Sequence, residues 1–364
     1  MARRVWILGA GFSAPLGGPL LTDLFSHRME SAILAHYGIS TETEEPARWL
    51  AVNLFRWGTG EPMVLTGRDL PEVGRRLWSH AEDYLDRLDS ARAGTSASRD
   101  VLLQATKKLS SQVPGVRRFI ESNESNLIDA VTLQAKRWVA AECCVFLKDA
   151  DPSTERWTPY RKWAAALNQD DAIITFNYDR VLEMLINQGH TNLIVVNPAD
   201  PFAQHATRTP IYKLHGSVDW KLWRTAGKGR YEFDEDAEAS MKAVLDQTGI
   251  ATPGPSKKIS TGYLADLWTA ALSCVEDGLS MYFLGYRFPE TDNEAMAAIL
   301  GKVKSCRGRS GINVVLGPDI NHTHVRRLDG LFRHADIQAT HPIPLFAQDF
   351  MTVYAMNSAN DQRG

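Results

Sequence analysis

Val5-Trp-Ile-Leu8 runs straight into Gly9-Ala-Gly11-Phe-Ser13-Ala14, and this stretch decides the fold. Four apolar residues without polar alternation read as a short strand buried on both faces. The glycines that follow fit G-x-G-x-x-A between a strand and a helix. There the backbone turns sharply and can approach a pyrophosphate facing the helix N-terminus. A plain tight turn accounts for the same glycines. The acid that usually follows ~20 residues on, at the end of a second strand, is missing, because helical sequence occupies that region. An ordinary nicotinamide dehydrogenase loses ground accordingly. Arg3-Arg4 ahead of the apolar run imitates a secretion signal. The run breaks at Gly9 and Pro15 with no small-x-small cleavage site, so a buried first strand is expected instead.

Outward from this unit, a helix signal resumes around Pro19 to Tyr37, and no convincing strand follows until about Asn168. Apolar stripes at three- and four-residue steps mark helices: Val73, Leu77, Ala81, Tyr84/Leu85 and Leu88, then Leu127, Val131, Ala135, Trp138 and Val139. Residues 93–98 read as a flexible connector. The pattern then changes. Strands are expected at Ala172–Phe176, Leu193–Asn197, Ile211–His215, Ser280–Leu284 and Ile312–Leu316. Helices are expected at Asp179–Asn187, Tyr263–Val275, Asn293–Val303 and Val325–Phe332. Residues 217–260 look irregular, with a hairpin through Tyr231–Phe233 and a loop at 252–256. Alternating strands and helices with solid apolar strands predict an α/β fold: a doubly wound, mostly parallel, Rossmann-like sheet of about six strands. Residues 1–25 and 170–340 form its domain, 26–169 a large helical insertion, and 357–364 a disordered tail.

The 364 residues suit about two domains or one domain with a large insertion. Forty basic against 43 acidic residues leave a net charge of −3, which does not advertise direct nucleic-acid binding. No apolar run reaches the ~18 residues of a membrane span. Cys143, Cys144, Cys274 and Cys306 include no C-x-x-C pair, which fits a reducing, cytoplasmic setting and offers no zinc site. Six of the ten tryptophans lie between Trp49 and Trp163; they are the insertion's own core or an association surface. His322 and His324, with His334 and His341, carry no metal-ligand spacing and read as solvated loop residues, and Lys257-Lys258 as a loop with a lid role as the minority reading.

Ligands of such sheets sit outside the carboxyl ends of the strands. Here those ends are Gly9–Gly11, Asn177–Asp179, His215-Gly216, Gly285-Tyr286 and Gly317-Pro318. Asn177 or Asp179 can simply cap a helix. His215 can act as a base near neutral pH, although a lone histidine is more often structural.

Together, Gly9-Ala-Gly-Phe-Ser13, Thr175-Phe-Asn-Tyr-Asp179, Lys213-Leu-His-Gly-Ser217 and Gly285-Tyr-Arg-Phe-Pro-Glu-Thr-Asp292 resemble the sirtuin-like (SIR2-like) proteins in order and spacing. The likeness is to the bacterial branch whose members consume NAD in anti-phage defence, and it covers roughly residues 1–25 and 170–320. It implies an NAD glycohydrolase in which Gly9, Ala10, Gly11 and Ser13 line the NAD phosphates. Asn177 would position water and the nicotinamide riboside, Asp179 would contact the carboxamide, and His215 would hold a ribose hydroxyl. Gly285 matches a phosphate- and ribose-binding turn, and Gly317 a position near the adenosine. NAD is then a substrate, and no metal is expected. Deacylating sirtuins carry a zinc ribbon after the His-Gly and a Gln before the Asn. Residues 217–260 contain no cysteine and Phe176 stands at the Gln position, so simple NAD cleavage is favoured. NAD cyclisation, ADP-ribosyl transfer and non-catalytic NAD or ADP-ribose sensing stay open. An enzyme that destroys free NAD would be toxic if always on, and the tryptophan-rich insertion can cover the cleft or dock a second subunit, so a latent homo-oligomer is expected. The resemblance adds an ATPase or nucleic-acid-sensing partner as a second possibility.

Overall fold

A computed structural model describes residues 4–36, 45–61, 64–65, 68–69, 76–111, 113–203, 207–225, 228–233, 238–251, 264–289, 292–305, 311–318, 321–337 and 342–361. Its strands are β1 (Arg4–Leu8), β2 (Ala172–Thr175), β3 (Leu193–Val195), β4 (Thr209–Lys213), β5 (Gly216–Thr225), β6 (Lys228–Phe233), β7 (Thr248–Ile250), β8 (Ser280–Leu284) and β9 (Gly311–Val315). Six of them make one sheet in the order β9-β8-β1-β2-β4-β3, and every neighbouring pair is parallel. The first strand sits inside it: Val5, Trp6, Ile7 and Leu8 have no solvent exposure.

Side chains alternate across a strand, so each strand supplies two faces. Val5 and Ile7 join Ala172, Ile174, Met281 and Phe283 on one face, covered by helices Ala265–Asp277, Asn293–Ser305 and His322–His334. Trp6 and Leu8 join Ile173 and Leu284 on the other, under helices Thr158–Ala165, Val181–Asn187 and Ala347–Asp361. Helices on both faces make the sheet doubly wound. The Trp6 ring stacks on Tyr282 at 4.3 Å and meets Trp163 and Tyr354 edge-on at 5.4 and 4.8 Å. Tyr354 therefore ties the last helix to the central strand. That helix runs through Asp361, where a disordered tail was expected from Asn357.

The block between β1 and β2 has its own core, which contains Leu50, Tyr84, Leu88, Val131 and Trp138. The stripe from Leu127 lies in helix Leu127–Val145. Val73, where one stripe was expected to start, lies outside the described residues; the described part of that stripe becomes helix at Ala81, behind His80, whose ring accepts from the Asp83 amide. Residues 93–95 separate two helices, and helix Ser96–Ser110 takes up the rest of the expected connector. Turns replace helix before Glu30, and a two-residue antiparallel pair, Val64–Leu65 with Arg68–Asp69, appears where no strand was expected. Trp57, Trp78 and Trp138 are buried in the insertion's core with Trp49 half-buried against it, and Trp157 and Trp163 are buried against the sheet, so five of the six tryptophans are packing. After β4 the segment expected to be irregular forms a second, antiparallel sheet in the order β6-β5-β7. The 252–256 loop and Lys257-Lys258 lie outside the described residues.

Glu142 fastens the insertion to the entry chain. Both of its carboxylate oxygens accept from the buried Phe25 amide, at 2.8 and 3.0 Å. Burial pushes this carboxyl up to about 8, despite the Phe25 amide, the Trp138 indole and the Arg56 charge. A carboxyl raised in the folded state binds a proton that the unfolded chain has released. Its stabilisation is complete below the unfolded value and is lost as pH rises through the folded one, at about 1.4 kcal/mol per pH unit. Glu142→Gln removes this dependence. Denaturant titrations between pH 5 and 8 should therefore show the parent losing stability relative to the variant at about that slope, and a constant difference would contradict the assignment.

Candidate functional site

Parallel register delivers the ends of β1, β2 and β8 to one edge. The Gly9 amide donates to Leu284 O and the Phe176 amide to Leu8 O, at 3.0 and 3.1 Å. The Gly11 amide donates to Gly285 O at 3.0 Å. A Cβ on Gly9 would lie 2.7 Å from Gly285 O, and one on Gly11 2.8 Å from Gly285 Cα. Gly285 has φ +64°, and its own Cβ would collide with the backbone of Gly11 and Phe12. The two turns thus press together backbone to backbone, which requires glycine at all three positions. Ala10 opens the single helical turn Ala10–Ser13, and Ser13 ends it buried.

Asn177 clamps this turn from β2. Its Nδ2 donates to Gly9 O at 3.1 Å and to Ser13 Oγ at 3.2 Å. Among the described residues its Oδ1 accepts no hydrogen bond. Asp179 accepts from the Val181 amide at 3.0 Å, starting the next helix. Burial raises its carboxyl, while Lys213, the Ser13 hydroxyl and the Val181 amide pull it back. Beneath lies Lys213, whose ammonium donates to Asp179 O at 2.6 Å and to Glu183 Oε1 at 2.7 Å. Burial works against this charge, but Glu183, Asp219 and Asp179 outweigh it and hold Lys213 above its ordinary value. Arg180 pairs in turn with Asp219 at 3.2 Å.

His215 occupies the turn between β4 and β5 and is 5% exposed. Phe176 meets its ring edge-on at 4.8 Å and stacks on Tyr286 at 4.7 Å. The Tyr286 hydroxyl donates to Asp292 Oδ2 at 2.6 Å, and Asp292 Oδ1 lies 3.5 Å from His215 Nε2. Glu82 comes from the insertion. One donor atom each from Glu82, His215 and Asp292 lies within 4.8 Å of the others, and all three residues are buried. Burial pushes Asp292 up to about 6, against the Tyr286 hydrogen bond.

Of the residues singled out in the sequence, Gly9, Gly11, Ser13, Asn177, Asp179 and Gly285 are joined by direct contacts. His215 connects to them through Phe176 and Tyr286. Gly317 stands apart at the end of β9, with φ +92° and its amide donating to Leu345 O at 2.9 Å. Arg287 is its neighbour, 3.8 Å from where a Cβ would be. His322 begins helix His322–His334 and His324 lies in its first turn, where loop residues were expected. Sequence reading missed Glu82, which sits in no motif. It quoted Asp292, Tyr286 and Lys213 inside motifs without giving them work.

Residues 171–300 match the family model described as the SIR2-like domain, a stretch that holds Asn177, Asp179, His215 and Gly285. No curated protein matches the chain. Among solved structures it is similar to Sir2 crystallised with an inhibitor, 2′-O-acetyl-ADP-ribose and a deacetylated p53 peptide. That similarity has 13% identity and a TM-score of 0.35, over 98% of this chain and 94% of the other.

The buried pair under the site gives a stability test. Removing one partner of a buried ion pair leaves an uncompensated charge and costs about 3–5 kcal/mol, whereas an apolar replacement of both can be neutral. Lys213→Met should destabilise by that amount in denaturant titrations, and Lys213→Met with Glu183→Leu should recover most of it. Equal loss in both variants would contradict the pairing.

Proposed function

We infer that this site hydrolyses the N-glycosidic bond of NAD, releasing nicotinamide and ADP-ribose. The observation that carries the reading is the convergence of Asn177, Asp179 and Ser13 on one glycine turn, within and beside the SIR2-like stretch. Nicotinamide is already a cationic leaving group, so cleavage needs no strong base at first. The protein has to hold the ribose, favour positive charge near the breaking bond and admit one water.

Asn177 suits the water. Its Nδ2 is committed to Gly9 O and Ser13 Oγ, which fixes the amide plane and leaves Oδ1 to orient a nucleophile. His215 anchors ribose hydroxyls, and the acids beside it favour the positive charge that builds up as the bond breaks. Asp179 supplies a carboxyl for the carboxamide. The Gly9 and Gly11 amides already donate to Leu284 O and Gly285 O, so their part toward the diphosphate is to shape the turn. Ala10 and Ser13 complete that turn, and Gly285 backs it; Gly317, with Arg287 beside it, lies on the adenosine side of this reading. Depletion of cellular NAD as an anti-phage effector attaches through the resemblance alone. So does an ATPase or nucleic-acid-sensing partner, whereas a latent state governed by a second copy follows from the toxicity of an always-active enzyme. NAD turnover across protein concentrations, with and without such a partner, reads both.

Asn177→Ala and His215→Ala should each lower kcat for NAD cleavage by at least ~10²-fold, the usual cost of losing a positioning or acid–base group. NAD affinity, followed by calorimetry, should change far less. Near-full turnover in either variant would overturn the mechanism.

A further inference from the structure

We propose that Glu82, carried by the helical insertion, is a positioning residue of the site: its carboxylate holds the His215 imidazole in place and favours positive charge beside it. This rests on the NAD-cleaving reading for its catalytic meaning, but the contact itself stands on geometry. Glu82, His215 and Asp292 come from three segments far apart in sequence. Their donor atoms nevertheless gather within 4.8 Å of one another, with all three side chains buried. Two acids around one imidazole, withdrawn from water, make a place where a cation is favoured.

The insertion holds Glu82 there from both sides. Ahead of it, the Trp78 ring covers Gly58 so closely that a Cβ would collide, and its indole donates to Phe55 O at 2.8 Å. Behind it, the buried Tyr84 hydroxyl donates to Ala51 O at 2.9 Å. Between these anchors His80 accepts from the Asp83 amide, fixing the start of helix Ala81–Arg92. Glu82 thus lies in the first turn of a helix pinned into the insertion core at each end of that turn. The other groups around the cluster are Tyr178 and Tyr286, whose hydroxyls burial holds protonated, and Arg327, whose charge reaches Tyr286. The Tyr178 ring lies 6.1 Å from that of His215, and its hydroxyl donates to Ala251 O. The insertion therefore brings a buried acid to within 4.8 Å of His215, in addition to its apolar packing.

Glu82→Gln keeps the shape and removes the charge. In steady-state NAD cleavage it should lower kcat about 10-fold or more while leaving KM within about twofold, and the pH profile of kcat/KM should shift. Glu82→Asp should recover part of the rate. Glu142→Gln, in the same insertion and bonded to the Phe25 amide, should leave kcat and the pH profile as in the parent. The contact is also read without turnover, by ¹⁵N spectra of the imidazole. His215 should lose its proton at lower pH in Glu82→Gln than in the parent, whether or not the chain cleaves NAD. Unchanged imidazole titration overturns the proposal, and so does an unchanged kcat in an active enzyme. Stoichiometric zinc uptake by the parent and not by Glu82→Gln also overturns it, by making Glu82 a metal ligand. A parent that leaves NAD intact while the imidazole titration shifts defeats the cleavage reading and keeps the contact.

Discussion

The turns after β1 and β8 touch backbone to backbone, through Gly9, Gly11 and Gly285. No side chain fits between them, so one methyl group at any of these positions would drive the two strand ends apart. That closeness follows from the parallel register, in which Leu8 faces both Leu284 and Thr175. With the ends level, Asn177 can reach from β2 to both Gly9 O and Ser13 Oγ. The site is thus fixed by the sheet, and its polar groups are oriented by rigid strand ends.

Below this edge the polar groups form a connected layer. Lys213 supports Asp179 through its carbonyl and Glu183 through a close ion pair, while Arg180 takes Asp219. Beside it, Tyr286, Asp292, His215 and Glu82 form a second chain of groups, walled by Phe176 and Tyr178. In the first chain two full cations, Lys213 and Arg180, pair with Glu183 and Asp219 beside the buried Asp179. The second carries two acids and one imidazole, and burial raises Asp292. On the proposed NAD-cleaving reading, those two acids lie beside the centre that gains positive charge. The Phe176 position shows the same division. Its ring packs between His215 and Tyr286 and contributes shape without adding a further polar group.

The parallel strands were legible because most of them are apolar runs, and a run buried on both faces has few other homes; the antiparallel sheet lay in a stretch expected to be irregular apart from its hairpin. Four of the six parallel-strand ends were read one or two residues long: Phe176, Val196 and Leu214 are buried like strand residues but lie past the last ladder pair, while the ends at Leu8 and Leu284 match. Asn177, Asp179 and His215 were legible because parallel strands bring their carboxyl ends to one edge. Glu82 was not, because nothing local marks it: its meaning comes from a helix that tertiary packing alone carries to His215. The tryptophan count was legible as packing: Trp57, Trp78 and Trp138 fill the insertion's core, while Trp157 and Trp163 pack against the sheet, which the count could not distinguish. One amphipathic stripe also overran its helix start: Leu77 precedes a helix that begins at Ala81.

NAD cleavage is most directly tested by incubating the purified full chain with NAD and quantifying nicotinamide, ADP-ribose and cyclic ADP-ribose together. Nicotinamide and ADP-ribose formed in equal amounts, with NAD lost to match and no cyclic product, is the expected result. Folded protein that binds NAD and returns it intact at every protein concentration would contradict it.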